Sequence, residues 1–375
     1  MPPTDPASMQ GAGSRFFSSA YVAFWAAALF VSALVWPSYN WDIIGYTAAC
    51  LERNGLSGPA LHQATYQDIK ALVPEAMFQL LTAKDAYRLG VYQDPEALQQ
   101  QLPFYRIRYA YVWLVQTFGL LLGSFAQATI LVSAACASLI VIISGTLFSV
   151  TRSRPVFLAV PPLVAIASAI EIARLSTPDA LAALLAIALS LAMLQKRHVL
   201  AAVLIVALPL VRTEFLILSG LFSMALLVQR AFSLAALSAT LSLLTYLAAN
   251  HVAGNYGYAV IFNFTLIQGP QPYPLSMPIS HDINAYVKAY AEGLAKMFKA
   301  KEIYIALLTG AVLLVRKQNR YASLFIISAL FVLAHFLLFP AAFSRTYFLL
   351  LWACLVCLAE TLSPPPLKPA PATTP

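Results

Sequence analysis

Residues 125–149, FAQATILVSAACASLIVIISGTLFS, contain no Asp, Glu, Lys, Arg or His. A helix needs about 20 consecutive apolar residues to cross the hydrocarbon layer of a bilayer, so this run alone places the chain in a membrane. Outward from it, apolar stretches recur at 20–36, 104–122, 155–173, 178–195, 198–211, 213–229, 232–250, 302–315, 321–340 and 346–361. Of the 375 residues 60% are hydrophobic and 10% charged, against roughly 25% charged in a soluble domain. A soluble protein is excluded. The formal charge of +8 reads as the cytoplasmic excess of Lys and Arg found in polytopic proteins, not as a nucleic-acid surface. Four cysteines, with Cys354 and Cys357 inside an apolar run, make no disulfide framework.

Charge sets the expected topology. The connections carrying Arg152 and Arg154, Lys196 and Arg197, Arg230, and Arg316, Lys317 and Arg320 hold bases and no acid, the mark of cytoplasmic loops. They share one side only if 104–122 lies on or dips into the outer face without crossing. The expected fold is therefore all-α, a polytopic transmembrane bundle of about ten spans with outer-face juxtamembrane helices. The transmembrane domain covers 20–361 with outer loops 37–103 and 251–301, between a disordered cytoplasmic segment 1–19 and a disordered proline-rich tail 362–375. The first apolar stretch reads as a retained signal anchor. Within the first outer loop, Asp94-Pro95-Glu96 is a helix start, and Pro74-Glu75 opens a helix that Gly90 closes.

The ionisable residues gather at outer ends. Asp42 follows the first span among aromatic residues, where a partly desolvated carboxylate can take a proton or simply cap a helix. Arg106 and Arg108 stand where the outer loop meets the membrane; a guanidinium there binds phosphate or snorkels to headgroups. Glu171 and Arg174 are spaced to pair on a helix, and Asp179, after Thr177-Pro178, is either functional or a cap. Arg212 and Glu214 interrupt an apolar run, as a pair or as the lining of a polar cavity. Arg345 is the only Lys or Arg between 321 and 367. The five histidines lack metal-ligand spacing. The second outer loop adds aromatic residues, His281 and an amphipathic stretch from Asn284 to Lys301.

In this order and layout the chain resembles the GT-C superfamily of integral membrane glycosyltransferases. The likeness rests on Asp42 after the first span, the helical first outer loop, Pro103-Phe104-Tyr105-Arg106, Thr177-Pro178-Asp179, Val211-Arg212-Thr213-Glu214 and Arg345-Thr346-Tyr347. It implies an enzyme of a bacterial cytoplasmic membrane that moves a sugar from a polyprenyl-phosphate donor to an acceptor on the periplasmic or extracellular face. It implies catalytic roles for Asp42 and Asp179, with Glu171 a lesser candidate for the second. Arg106, Arg212, Glu214, Arg345 and Tyr347 become substrate-binding candidates, and a divalent metal is left open as cofactor. Membrane lipid and the lipid-linked sugar are the expected partners. The competing readings are a lipid-linked sugar transporter or flippase, and an enzyme of the O-antigen ligase or polymerase type, for which His281 is the candidate.

Overall fold

The computed structural model describes residues 6–148, 153–316, 319–341 and 344–363. Among them every regular element is helical, and the only β-type pairing is an isolated parallel bridge between Ser38 and Leu175. The first half runs α1 (Pro6–Val35), α2 (Asp42–Arg53), α3 (Gly58–Leu72), α4 (Glu75–Ala83), α5 (Ala86–Gln93), α6 (Pro95–Gln101), α7 (Pro103–Arg106), α8 (Tyr109–Leu122), α9 (Phe125–Thr146) and α10 (Arg154–Val164). The second half runs α11 (Ile170–Arg174), α12 (Asp179–Leu194), α13 (His198–Val211), α14 (Leu216–Val228), α15 (Phe232–Ala253), α16 (Tyr258–Phe262), α17 (Ile283–Lys299), α18 (Lys301–Val315), α19 (Ala322–Leu338) and α20 (Phe348–Leu362).

Four helical stretches are long and apolar enough to cross a membrane: Phe17–Val35, Phe125–Thr146, Phe232–Ala253 and Arg345–Leu362. They mark an α-helical membrane protein. The other apolar stretches form shorter helices of 10–17 residues, so the ten spans expected from hydropathy resolve into four full-length helices and a shorter set. Proline and charge shorten them. Pro161 and Pro162 sit inside α10, which passes into a wide π turn over Ala165–Ala169, because each proline removes a helix donor. Pro209 lies in the last turn of α13, which stops at Arg212. The 104–122 stretch splits at Ile107–Arg108 into α7 and α8; at 14 residues α8 spans about 21 Å, short of the roughly 30 Å hydrocarbon core.

Helix α9 is the hub, packed against α1, α2, α8, α10, α11 and α12. Its small residues make this approach possible: Gly145 faces Val22 so closely that an added Cβ would lie 2.7 Å from a valine methyl. The hub is anchored at its start by Asp68, whose carboxylate accepts from the backbone N–H groups of Phe125 (2.9 Å) and Ala126 (3.0 Å) and from the Ser124 hydroxyl (2.6 Å), a negative charge at a positive helix end.

Helices α2 to α6 form a subassembly with its own core, including Ile43, Ile44, Leu61, Ile69, Phe78 and Leu98. The Asp94-Pro95-Glu96 start is as read, with Asp94 Oδ1 accepting from the Glu96 N–H at 2.9 Å. The Pro74-Glu75 start is also present, but the helix ends at Ala83 instead of at Gly90. Asp85 interrupts it by capping a new helix through the Arg88 N–H, and Gly90 lies inside that helix against Pro272. The N-terminal segment differs as well: α1 begins at Pro6, not near residue 20, since a helix once nucleated in the apolar run propagates upstream at little cost. The expected disorder of residues 1–5 and 364–375, and the loop bases Arg152, Lys317 and Lys368, lie outside the described residues.

Candidate active site

The connections 36–41 and 175–178 are tied together before any charge is added. The Ser38 N–H donates to the Arg174 carbonyl at 2.8 Å, and Arg174 returns a bond from Nε to the Trp36 carbonyl. Asn40 completes the tie: its Oδ1 accepts from the Ser176 N–H at 3.0 Å, and its Nδ2 donates to Asp42 Oδ2 at 2.7 Å. A polar side chain satisfied on both ends holds the start of α2 beside the start of α12, which brings Asp42 and Asp179 to one place.

Like charges brought together need cations between them. Arg345, in the short 3₁₀ turn that leads into α20, supplies one: its Nη1 lies 3.7 Å from Asp42 Oδ2 and 3.5 Å from Asp179 Oδ2. Arg212 supplies the other, donating from Nη1 to Asp179 Oδ1 and from Nε to Glu214 Oε1 at 2.6 Å. Asp179 Oδ2 also accepts the Thr177 hydroxyl at 2.7 Å. The result is an alternating chain of charges, Asp42, Arg345, Asp179, Arg212 and Glu214, drawn from four separate parts of the sequence.

The two aspartates differ in access. The Asp179 side chain is 3% exposed and engaged by two arginines and a hydroxyl, whereas that of Asp42 is 30% exposed. Each is the first residue of its helix, one position after the N-caps Trp41 and Pro178, and supplies the acid of the first turn. Asp42 is thus the carboxylate open to the cavity, and Asp179 the one enclosed among the arginines.

These charges line a cavity of about 580 Å³, within the range of small-ligand sites. Trp41, Tyr87, Phe104 and Phe264 supply an aromatic wall, with successive ring centroids 4.8–6.0 Å apart. Such a wall suits a sugar face or an isoprenoid chain. Arg108 also lines the cavity. It has no carboxylate within salt-bridge distance among the described residues, and its buried Nε has no hydrogen-bond partner; its Nη1 donates to the Phe104 carbonyl. A cation held this way draws an anion.

The remaining candidates are placed elsewhere. Arg106 faces away and pairs with Glu52 at 2.8 Å; burial pushes the Glu52 carboxyl up and the Arg106 charge opposes that rise. Because α7 ends between the two arginines, it is Arg108 that turns inward. Tyr347 is buried against Val332, Leu350 and Cys354, so at the end of the Arg345-Thr346-Tyr347 run it is Arg345 and Thr346 that line the cavity. Glu171 is not among the lining residues, and His281 is exposed and outside the cavity. Several lining residues escaped the reading of the sequence, Tyr87, Tyr46 and His335 among them. Tyr46 follows Asp42 by four positions on α2, a spacing that puts both on one helix face. His335 is the one ionisable residue in the apolar run of α19.

Among the described residues no three of His, Cys, Asp and Glu gather as a metal-binding group. The carboxylates of the site fit a divalent ion poorly on their own chemistry, since the oxygens of Asp42 and Asp179 that face each other share Arg345, and an ion there would meet two guanidinium groups. Comparison of the chain with family models, with curated proteins and with solved structures finds no match.

Proposed function

We propose that the chain is a membrane glycosyltransferase that moves a sugar from a polyprenyl-phosphate donor to a hydroxyl acceptor on the outer face. One observation supports the reading: an accessible carboxylate, Asp42, and a half-buried guanidinium with no carboxylate partner among the described residues, Arg108, line one aromatic-walled cavity. Direct displacement requires that pair. Asp42 takes the proton of the acceptor hydroxyl as its oxygen bonds to the anomeric carbon. The bond from that carbon to the phosphate oxygen breaks, and the electron pair leaves on the phosphate. Arg108, with Arg345 at the same mouth, stabilises the growing negative charge. Attack from the face opposite the phosphate inverts the anomeric configuration.

Asp179 is a positioning residue in this scheme, since its contacts are to Arg212, Arg345 and Thr177. The topology belongs to the same proposal: about ten crossings, several made by short helices, with Arg154, Lys196, Arg197, Arg230, Arg316 and Arg320 on the cytoplasmic side and the cavity opening outward. The exposed position of His281 favours this reading over the ligase type.

The test is sugar transfer from a radiolabelled lipid-linked donor in membranes that contain the wild type or Asp42→Asn. The variant is expected at normal abundance with a rate lower by about 100-fold to 10,000-fold, the usual worth of a general base. Wild-type transfer by Asp42→Asn would reject Asp42 as the base. Absence of transfer by the wild type with every donor tried, alongside movement of the lipid-linked sugar between leaflets, would replace the enzyme with a transporter.

A further inference from the structure

Helix α17 (Ile283–Lys299) carries three distinct faces, and the proposed reaction uses none of them. Tyr286, Ala289, Tyr290 and Gly293 face the protein. Gly293 meets the backbone of Pro340 with no room for a Cβ, Tyr290 donates to the Leu337 carbonyl at 2.7 Å, and Tyr286 donates to the Ser280 carbonyl at 2.9 Å. A second stripe, at i, i+4, i+11 and i+15, consists of Ile283, Val287, Leu294 and Phe298, which are 70%, 61%, 42% and 55% exposed. The third stripe, at i, i+4, i+8 and i+11, is Lys288, Glu292, Lys296 and Lys299, all exposed, with Lys288 and Glu292 4.0 Å apart. Exposed Lys301 continues the basic end.

A single helix that docks one face on protein, exposes one apolar stripe and one basic stripe, and adjoins an apolar helix has the design of an interfacial helix. Ala300 is the only residue between α17 and α18, and Tyr304, one turn into α18, is exposed with its hydroxyl donating to the Phe298 carbonyl at 2.6 Å, as suits an aromatic ring at headgroup level. The lysines outnumber the single acid of their stripe, so the complementary surface is anionic. We infer that α17 lies in the plane of the bilayer surface, with Ile283, Val287, Leu294 and Phe298 among the acyl chains and Lys296, Lys299 and Lys301 on the headgroups of anionic phospholipid. Its packed face rests on the segment 337–340 that precedes Arg345, so the lipid surface steadies one wall of the cavity mouth.

The experiment uses the full chain in nanodiscs of phosphatidylcholine with or without phosphatidylglycerol, with a nitroxide at Leu294→Cys or Glu292→Cys; the four native cysteines are buried. The label at 294 is expected to collide with oxygen and the label at 292 with an aqueous nickel chelate. Phosphatidylglycerol titrated into detergent-solubilised protein is expected to raise its thermal midpoint, and soluble glycerol phosphate is not. The Lys296→Gln/Lys299→Gln variant should fold normally and bind phosphatidylglycerol about fivefold more weakly per lysine removed, which corresponds to about 1 kcal/mol per charge at an anionic surface. Aqueous accessibility at 294, spin–spin broadening that reports a second copy on the stripe, or undiminished phosphatidylglycerol binding by the double variant would each overturn the inference.

Discussion

The guanidinium of Arg345 stands 3.7 Å from the carboxylate of Asp42, close enough to orient it and too far for a tight pair. Lysine at 345 keeps the charge but loses the planar guanidinium whose Nη1 lies near both carboxylates. Arg345→Lys is expected to lower the transfer rate more than donor affinity, and Arg345→Ala to lower both, measured as separate donor-binding and single-turnover assays on well-expressed protein. Unchanged rate and affinity in Arg345→Ala would remove this residue from the site.

Arg108 is expected to dominate donor affinity, because it lacks the carboxylate partner that Arg212 and Arg345 have. Arg108→Ala should weaken binding of the lipid phosphate by about 10-fold to 100-fold, the worth of a charged hydrogen bond of roughly 1.5–3 kcal/mol. Arg106→Ala, which loses only the pair with Glu52, should leave donor affinity unchanged. Equal effects of the two substitutions would count against the inward assignment of Arg108.

Asp179→Asn separates ordering from chemistry. Removing one member of a buried ion network costs about 3–5 kcal/mol, so this variant should unfold at a markedly lower temperature in detergent, whereas Asp42→Asn should not. Similar melting of both would show that the two aspartates are equivalent in the fold.

Gly45 lies between Asp42 and Tyr46 on α2, and a Cβ there would overlap the Tyr105 ring. Helix propensity alone favours alanine by about 1 kcal/mol, but overpacking costs about 1–3 kcal/mol. Gly45→Ala is expected to destabilise the protein and to reduce transfer, read from thermal unfolding and the membrane assay together. A stabilised, active variant would show that the contact is loose.

A pH-dependent latch joins the segments 37–103 and 251–301. The Tyr273 hydroxyl donates to Asp94 Oδ2, and that bond, with the Glu96 N–H, holds the Asp94 carboxyl below the usual carboxylate range. A depressed carboxyl stabilises above its unfolded value and loses that contribution as pH falls through the folded one. Hydrogen exchange in 268–281 should therefore quicken below about pH 4. Tyr273→Phe should exchange fast already at neutral pH and show no such step.

Reporter fusions after residues 60, 270 and 342 are expected to signal from the outer face, and fusions after 153, 197 and 318 from the cytoplasm. Outer-face signal at 153 and 197 would make 104–122 a full crossing.

Helical content and the place of the ionisable residues at helix ends are legible because apolar runs and isolated charges are local properties of the chain. Helix length is less so: Asp85 opens a new helix between the Pro74 start and the Gly90 stop, and Pro161 disturbs a stretch that hydropathy joins, since a cap or a missing donor acts over one turn. The choice between Arg106 and Arg108 depends on where α7 ends, and Glu52, the partner that draws Arg106 away, is more than fifty residues upstream. Tyr347 was placed with Arg345 by adjacency, yet the helical turn sends the two side chains in different directions. His335 was tested only as a metal ligand, so its place in the cavity wall was visible to no rule of spacing.

The alternating charges also impose an order in time. A chain emerges from the ribosome N-terminus first, so Asp42, Asp179, Arg212 and Glu214 reach the membrane well before Arg345, which precedes the last described helix. Until that helix packs, Arg212 alone holds Asp179, and Asp42 lacks the guanidinium that stands near both carboxylates in the folded chain. Electrostatic completion of the pocket therefore waits on the docking of α20, which couples the assembly of the site to the last described helix.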